Sequence, residues 1–325
     1  MRLVTYSFRG AHRLGVVHRE NVVDLTRALA QWYARRGRAK AEEYAHFVAP
    51  PGDMAGFLGS GPEALEYARE AIVELADEFE RDRERWRAEG VLFSLSEVKL
   101  EAPVSRPGKI ACLWVNYVEH GNEAAIMPPM KEPVFFSKFS DVIIGPGDPI
   151  QLPRVSRAVD YEAELAVIIG RTGKHIPEER ALEYVAGYTI LNDVSARDFN
   201  LKTLLGVVGP YIIQKTFDTF APMGPYLVTR DEVPDPHALR IRLWINGELM
   251  QDGYSGDMIF KIPRIISYLS RIVTLRPGDV ISTGTPPGVG HWRTPPRYLR
   301  AGEVVRIEIE HLGVLENPVV QEGEG

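Results

Sequence analysis

Apolar and polar positions alternate in short runs over residues 1 to 25 (LVTYSF, GVV, NVVDL), the pattern of a small meander of strands. The stretch that follows turns largely helical. Within GPEALEYAREAIVELADEFERDRERWRAEG the apolar residues Leu65, Ala68, Ile72, Leu75 and Phe79 recur at threes and fours, which predicts one long amphipathic helix with a single apolar stripe. Its other face is a dense mix of charges, as suits a packing helix with a solvated side. From Val104 onward the texture changes to short strands and tight turns. LRIRLWINGELM sets Asn246-Gly247 between two extended runs, a strong hairpin signal. The turns IGPGDPI, LRPGDVIS and LRAGEVVRIEI each put a Gly next to an acidic residue just before a strand. Two helices are expected there, one starting at Pro177 with Glu178 and Glu179 in its first turn and one over about 260 to 271. The pattern predicts an α+β, β-rich chain: a smaller N-terminal α/β region over 1–103 and a mixed or antiparallel β domain over 104–325.

VDYEAELAVIIG, residues 159–170, reads as a strand rich in Val, Ile and Leu, yet it carries Asp160, Glu162 and Glu164. Strand side chains alternate with period two, so Glu162 and Glu164 point to one side together with Ala166 and Ile168. Two like charges roughly 6 to 7 Å apart repel unless water screens them or a cation sits between them. A solvated face satisfies the first condition. YTILNDVSARD favours the second, because its apolar run ends in Asn192-Asp193 and brings a third carboxylate to a strand end. Three oxygen ligands from two adjacent strands suit a hard divalent cation such as Mg²⁺, and no His/Cys constellation argues for zinc.

Composition narrows the function classes. The 325 residues are 45% hydrophobic, enough for one large domain or a large and a small one. A formal net charge of −6 and no run of basic residues speak against nucleic acid or an anionic membrane as partner. The one cysteine, Cys112, sits in apolar IACLWV and is expected to be a buried thiol. MRLVTYSFRG has no signal-peptide h-region and no apolar run approaches the roughly 20 residues that span a bilayer. A cytoplasmic location is the expectation.

More polar groups gather in WVNYVEHGNE, where His120 and Glu123 stand one helical turn apart, so the carboxylate can orient the imidazole or share its proton. The following AAIMPPMKEP is too proline-rich to be regular, and residues 118–133 are expected to form either a cover over a site or a packed surface loop. Lys215 in YIIQKTFDTFAPMGP suits a bond to a substrate oxygen or a structural pairing with Asp218. ISTGTPPGVG supplies small irregular backbone that can approach a ligand closely or simply turn the chain, with Thr283 and Thr285 as hydroxyl donors. It is not a phosphate loop, since the Gly-Lys-Ser/Thr ending is absent.

Taken in order, NYVEHGNE, VDYEAELAVIIG, GYTILNDVSARD, QKTFDTFAPMGP, NGELMQDG and LRPGDVISTGTPPGVG give the chain, from about 104 to 320, a resemblance to the fumarylacetoacetate hydrolase superfamily. The early VVDL run resembles the smaller N-terminal region of longer members. The resemblance implies a mixed β-sandwich roll, a homodimer, a place in aromatic catabolism and Mg²⁺ as cofactor, with Mn²⁺ or Ca²⁺ able to substitute. It also implies Glu162, Glu164 and Asp193 as metal ligands, His120 and Glu123 as catalytic dyad with Lys215, and Tyr117, Gly284 and Thr285 as substrate contacts. The chain departs from the family pattern at Trp114 and Val115, where Gly and then Leu or Arg are frequent, and at Gln214, where Gly is common.

The implied substrate is a 2-oxo or 2,4-dioxo acid. In the expected reaction His120 deprotonates a water that attacks the distal carbonyl, C–C cleavage expels a pyruvate-type enolate, and Lys215 stabilises the developing charge. The same enolate serves isomerisation, decarboxylation or dehydration of a 2-oxo acid, so those remain alternatives. A non-catalytic scaffold that keeps the fold and the cation, with Trp114 blocking the pocket, is the reading of another class.

Overall fold

The computed structural model describes residues 1–123, 130–200, 206 and 212–323. The N-terminal meander is present as β1 (Arg2–Phe8), β2 (Ala11–His18) and β3 (Asn21–Asp24), and β4 (Leu92–Ser94) and β5 (Lys99–Glu101) return to it after the helices. Those helices are α1 (Leu25–Arg35), α2 (Ala41–Val48), α3 (Met54–Gly59), α4 (Pro62–Arg81) and α5 (Arg83–Ala88). Asp24 starts α1 by accepting a 2.9 Å bond from the Arg27 amide, and Pro62 opens α4 at a position where its missing N–H costs nothing.

The long helix expected from the stripe is interrupted. After Phe79 the run ERDRER offers no apolar side chain until Trp86, and Asp82 leaves helical geometry at φ −130°, ψ 49°. Trp86 on α5 then folds into the core with its ring edge-on to Phe79 at 5.3 Å.

The rest of the chain supplies β6 (Ile110–Leu113), α6 (Val118–Glu123), β7 (Phe135–Lys138), β8 (Ile143–Ile144), β9 (Ile150–Leu152), β10 (Val159–Asp160) and β11 (Ala163–Ile169). It continues with β12 (Val185–Asn192), β13 (Ser195–Ala196), β14 (Ala221–Thr229), β15 (Arg240–Ile245), β16 (Glu248–Tyr254), α7 (Ile262–Ile272), β17 (Val280–Ser282), β18 (Val304–Ile309) and β19 (Gly313–Gln321). The helix expected at Pro177 is a 3-10 helix over Glu178–Tyr184.

One large mixed sheet runs β4-β3-β2-β1-β14-β12-β11-β17-β6-β7, and a five-stranded sheet runs β16-β15-β18-β19-β9. The large sheet is continuous across residue 103, because β1 pairs antiparallel with β14. β11 lies near its centre, and period-two alternation sends its two faces into different cores. Leu165, Val167 and Ile169 pack toward the five-stranded sheet and α7, whereas Ala166 and Ile168 pack toward α1 to α4. A strand covered on both faces must be apolar throughout, which is why 163–169 reads as a nearly unbroken hydrophobic run.

The turns behave as their sequences demand. Asn246 and Gly247 both take positive φ, 48° and 84°, closing the β15–β16 hairpin. In the three Gly-acid turns the carboxylate of Asp148, Asp279 or Glu303 accepts from the backbone N–H three residues earlier, at 2.9, 2.7 and 2.9 Å. Cys112 is fully buried, as its flanks imply.

Candidate metal centre and active site

The two glutamates are not on a solvated face. Glu162 and Glu164 are 4% and 1% exposed, Asp193 is fully buried, and the three carboxylates place ligand atoms within 4.8 Å of one another. Plain strand geometry holds same-face neighbours farther apart. The convergence arises because the strand breaks between β10 and β11, at Tyr161 and Glu162. There the Asp193 amide donates to the Glu162 carbonyl at 2.9 Å, and the Glu162 amide donates to Asn192 Oδ1 at 3.0 Å.

Burying carboxylates together is unfavourable unless cations or donors compensate them. Lys215 Nζ bridges Glu162 Oε2 and Asp193 Oδ2, the latter at 2.7 Å. Lys138 Nζ, on β7, donates to Asp193 Oδ1 at 2.6 Å. Arg197 donates to Glu162 Oε1 at 2.5 Å and to Asp160 Oδ2 at 2.9 Å. Asp160 also accepts from the amides of Gly290 and His291 at 2.8 and 3.0 Å, which ties the loop after β17 to the site. Lys215 thus pairs with the acidic centre and not with Asp218.

Glu164 is treated differently. Its Oε2 accepts from Ser282 Oγ at 2.6 Å and the Gly284 amide at 2.8 Å, and among the described residues no donor reaches Oε1. Burial, then the charges of Asp193 and Glu162, push its pKa up to about 8. Burial works the same way on Glu162, but Arg197 and Lys215 hold its carboxyl well below the usual range. With all four carboxylates ionised, Asp160, Glu162, Glu164 and Asp193 face Arg197, Lys138 and Lys215, one negative charge in excess, and burial holds Glu164 toward its neutral form until a cation would compensate it. An all-oxygen donor set, a bare Glu164 oxygen and surplus negative charge fit a hard divalent cation.

His120 and Glu123 lie on α6. His120 is 5% exposed, its Nδ1 has no hydrogen-bond partner among the described residues, and Glu123 Oε2 stands 3.6 Å away, beyond hydrogen-bond range but within reach of a small adjustment. Glu123 is held by the Gly288 amide at 2.9 and 3.1 Å. Tyr117 precedes this helix with its hydroxyl buried and without a hydrogen-bond partner among the described residues, and burial, then Glu164, raises its pKa well above the ordinary value. The hydroxyls of Thr283 and Thr285 donate to the carbonyls of Leu165 and Ala163 at 2.8 and 3.0 Å. Of the expected cover over 118–133, residues 124–129 lie outside the described residues.

Gly284 is fixed by space as well as by φ, +91°: a Cβ there would stand 2.8 Å from that of Asn116. Asn116 in turn bonds Thr283 O at 2.8 Å and both Phe260 backbone groups. Gly284→Ala is expected to cost about 1–3 kcal/mol and to weaken cation binding by moving the amide that holds Glu164. Thermal melting with and without Mn²⁺ reads both effects.

Sequence reasoning singled out neither Lys138, Asp160 nor Arg197 as site residues. A lysine closing the apolar run VFFSK and an arginine inside the buried DVSARD segment were the available signals, since a charge in such a run needs a partner.

The sequence matches the family model described as fumarylacetoacetate (FAA) hydrolase C-terminal over residues 109–320. The chain belongs to the fumarylacetoacetate hydrolase family. "Oxaloacetate tautomerase fahd2, mitochondrial" of Xenopus laevis is 46% identical over 270 residues, covering 83% of this chain and 79% of the relative. Among solved structures, a putative HpcE protein from Mycobacterium smegmatis superposes with TM-score 0.79 at 33% identity, covering 99% of this chain and 100% of that one. A maleylpyruvate hydrolase from Sphingobium sp. SYK-6, in complex with manganese (II) ion and pyruvate, gives 0.67 at 32% identity, with 99% of each chain covered. The fold is the family's mixed β-sandwich roll with few helices in its β-rich part, as expected.

The cytoplasmic expectation does not stand, because relatives from Xenopus laevis, Homo sapiens and Rattus norvegicus are named mitochondrial. Compartment is set by targeting signals that receptors read, and the composition and charge of the folded body do not encode it. No helix among the described residues is long and apolar enough to cross a membrane.

Proposed function

We propose that the protein is a divalent-metal-dependent isomerase that interconverts the keto and enol forms of a small 2-oxo diacid of the oxaloacetate class. The observation that carries the reading is the convergence of three buried carboxylates within 4.8 Å, with Glu164 lacking a cationic hydrogen-bond partner among the described residues. The similarity to an oxaloacetate tautomerase over 83% of the chain supports tautomerisation over C–C hydrolysis. Glu162, Glu164 and Asp193 would hold the cation, with Mg²⁺ as the expected ion and Mn²⁺ as a substitute. When bound, the cation supplies the positive charge that favours an enolate over its ketone.

The chain's own groups do the rest. With the four carboxylates ionised, a bound divalent cation would leave the cluster one positive charge, which a substrate carboxylate would neutralise, so the site would select an acid. His120, with Glu123 beside it, accepts the proton that leaves C3 and returns it there in the reverse direction. The C2 oxygen gains a proton in the same turnover, so no atom is lost and no water is consumed. The buried Tyr117 hydroxyl and the Lys215 ammonium are the donors positioned to balance charge at that oxygen.

The test follows the enol absorbance of oxaloacetate with Mg²⁺ or Mn²⁺ present, beside a panel of acylpyruvates and maleylpyruvate assayed for pyruvate release. Faster ketonisation without carbon dioxide supports the proposal. Pyruvate release from a 2,4-dioxo acid with no effect on oxaloacetate would replace it with hydrolysis, and no turnover in either arm would leave a scaffold. His120→Ala is expected to lower turnover by about 10²–10⁴-fold while Mn²⁺ still binds. An unchanged rate would remove His120 from the proton transfer.

A further inference from the structure

Gln251, on β16, takes no part in the chemistry above, yet it is 1% exposed and both polar atoms of its side chain are bonded, one of them to the residue that separates Glu162 from Glu164. Its Oε1 accepts from the Ala163 amide at 2.9 Å. Its Nε2 donates to Thr285 Oγ1 and to the Pro286 carbonyl, each at 2.8 Å. Thr285 Oγ1 donates in turn to the Ala163 carbonyl at 3.0 Å. Ala163, Gln251 and Thr285 therefore form a closed ring of hydrogen bonds.

The ladder explains why side chains are needed there. β17 pairs with β11 at Ala166↔Ser282, and the Thr283 amide still reaches the Leu165 carbonyl. Continuing that register would set Thr285 opposite Ala163. By then the chain has turned into Pro286, and both backbone groups of Ala163 are met by side chains instead of backbone. Rotation about Ala163 would swing Glu162 and Glu164 relative to each other. The approach of β16 is tight as well as bonded: a Cβ on Gly253 would stand 2.3 Å from the Pro286 Cβ.

We propose that Gln251 is a positioning residue for the metal centre, acting through Thr285 and Ala163 to hold the two glutamates at coordination distance. The proposal rests on reading Glu162, Glu164 and Asp193 as a divalent-cation site. In this arrangement the Thr285 hydroxyl proton serves the protein backbone, and the hairpin of β15 and β16 reports its position to the cation.

The experiment measures Mn²⁺ affinity of the purified full chain by electron paramagnetic resonance, with melting temperature in chelator as the control for folding. Gln251→Leu and Thr285→Val are expected to weaken Mn²⁺ binding about 10–100-fold, as loss of an outer-shell partner does, and Thr285→Ser to stay within about threefold. The double variant Gln251→Leu/Thr285→Val is expected to bind no more weakly than the weaker single, because the two belong to one ring. A purely structural role predicts lower melting temperatures with Mn²⁺ affinity unchanged, and that result overturns the proposal. So does a serine variant no better than the valine one, or losses that multiply in the double variant. Should Gln251→Leu fail to fold, the Thr285→Val and Thr285→Ser pair decides by the same criterion. Absence of Mn²⁺ binding in the unmodified protein would instead overturn the metal reading and this proposal with it, a failure distinct from unaltered binding in the variants.

Discussion

Glu164→Gln is expected to abolish turnover and yet to stabilise the cation-free protein at alkaline pH. The amide oxygen can still accept from Ser282 Oγ and the Gly284 amide, while its NH₂ replaces a repelled carboxylate oxygen. A cation loses one anionic ligand and meets two N–H groups, so Mn²⁺ affinity should fall by more than the roughly 10–100-fold that follows loss of an outer-shell partner.

The stability effect follows from proton linkage. Glu164 titrates near 4.5 when unfolded and at about 8 in the fold, raised by burial and then by Asp193 and Glu162. Its cost is absent below pH 4.5, where both states are protonated. It grows as pH rises from 4.5 to 8, where only the unfolded state ionises, and is constant above. At about 1.4 kcal/mol per unit the full cost is on the order of 5 kcal/mol. Glu162 has the opposite sign: burial opposes its charge, but Arg197 and Lys215 hold its pKa down, so its contribution is present above pH 4.5 and lost as pH falls further. From these two groups, the protein in chelator should be most stable near pH 5. Melting scans from pH 5 to 9 should show an alkaline decline that Mn²⁺ suppresses and Glu164→Gln flattens. A decline of equal size in the variant would remove Glu164 as its source.

The parts of this centre that were legible in the sequence are those encoded locally. Period two placed Glu162 and Glu164 on one side, the apolar run ending at Asn192-Asp193 supplied the third carboxylate, and Asn246-Gly247 marked the hairpin that carries Gln251. The partners were not legible, because tertiary topology chooses them. Lys138 reaches Asp193 across 55 residues of sequence and Arg197 reaches Glu162 across 35, and nothing local to VFFSK or VSARD names the anion each will meet. The same limit hid the role of Gln251, 88 residues from Ala163. Burial was misleading for a related reason. An E-x-E on an alternating strand looks half-solvated until the fold covers both faces of β11, and only then does the choice between water and cation close. The break of the long helix at Asp82 lies where charges outnumber apolar residues, so its stripe carried no signal past Phe79.

Lys215→Met should separate the two duties that a cation and an ammonium share in this pocket. In the structure the Lys215 Nζ lies between Glu162 Oε2 and Asp193 Oδ2, atoms of the same carboxylates that would hold the metal. Burial works against its charge, yet Asp193 and Glu162 carry its pKa above the ordinary lysine value. Removing one partner from a buried ionic cluster costs about 3–5 kcal/mol, so the variant in chelator should melt on the order of 10 °C lower. A divalent cation repairs that defect because it neutralises the same oxygens. Its stabilisation grows with the logarithm of ligand concentration over Kd, so Mn²⁺ should raise the melting temperature of Lys215→Met more than that of the unmodified protein. Turnover should nevertheless stay at least about 100-fold down, because the ammonium proposed to offset negative charge on the substrate is gone. Glu164→Gln, by contrast, loses cation and turnover together. If Lys215→Met gained less from Mn²⁺ than the unmodified protein, the ammonium and the cation would not be answering the same surplus of charge, and the electrostatic account of the centre would fail.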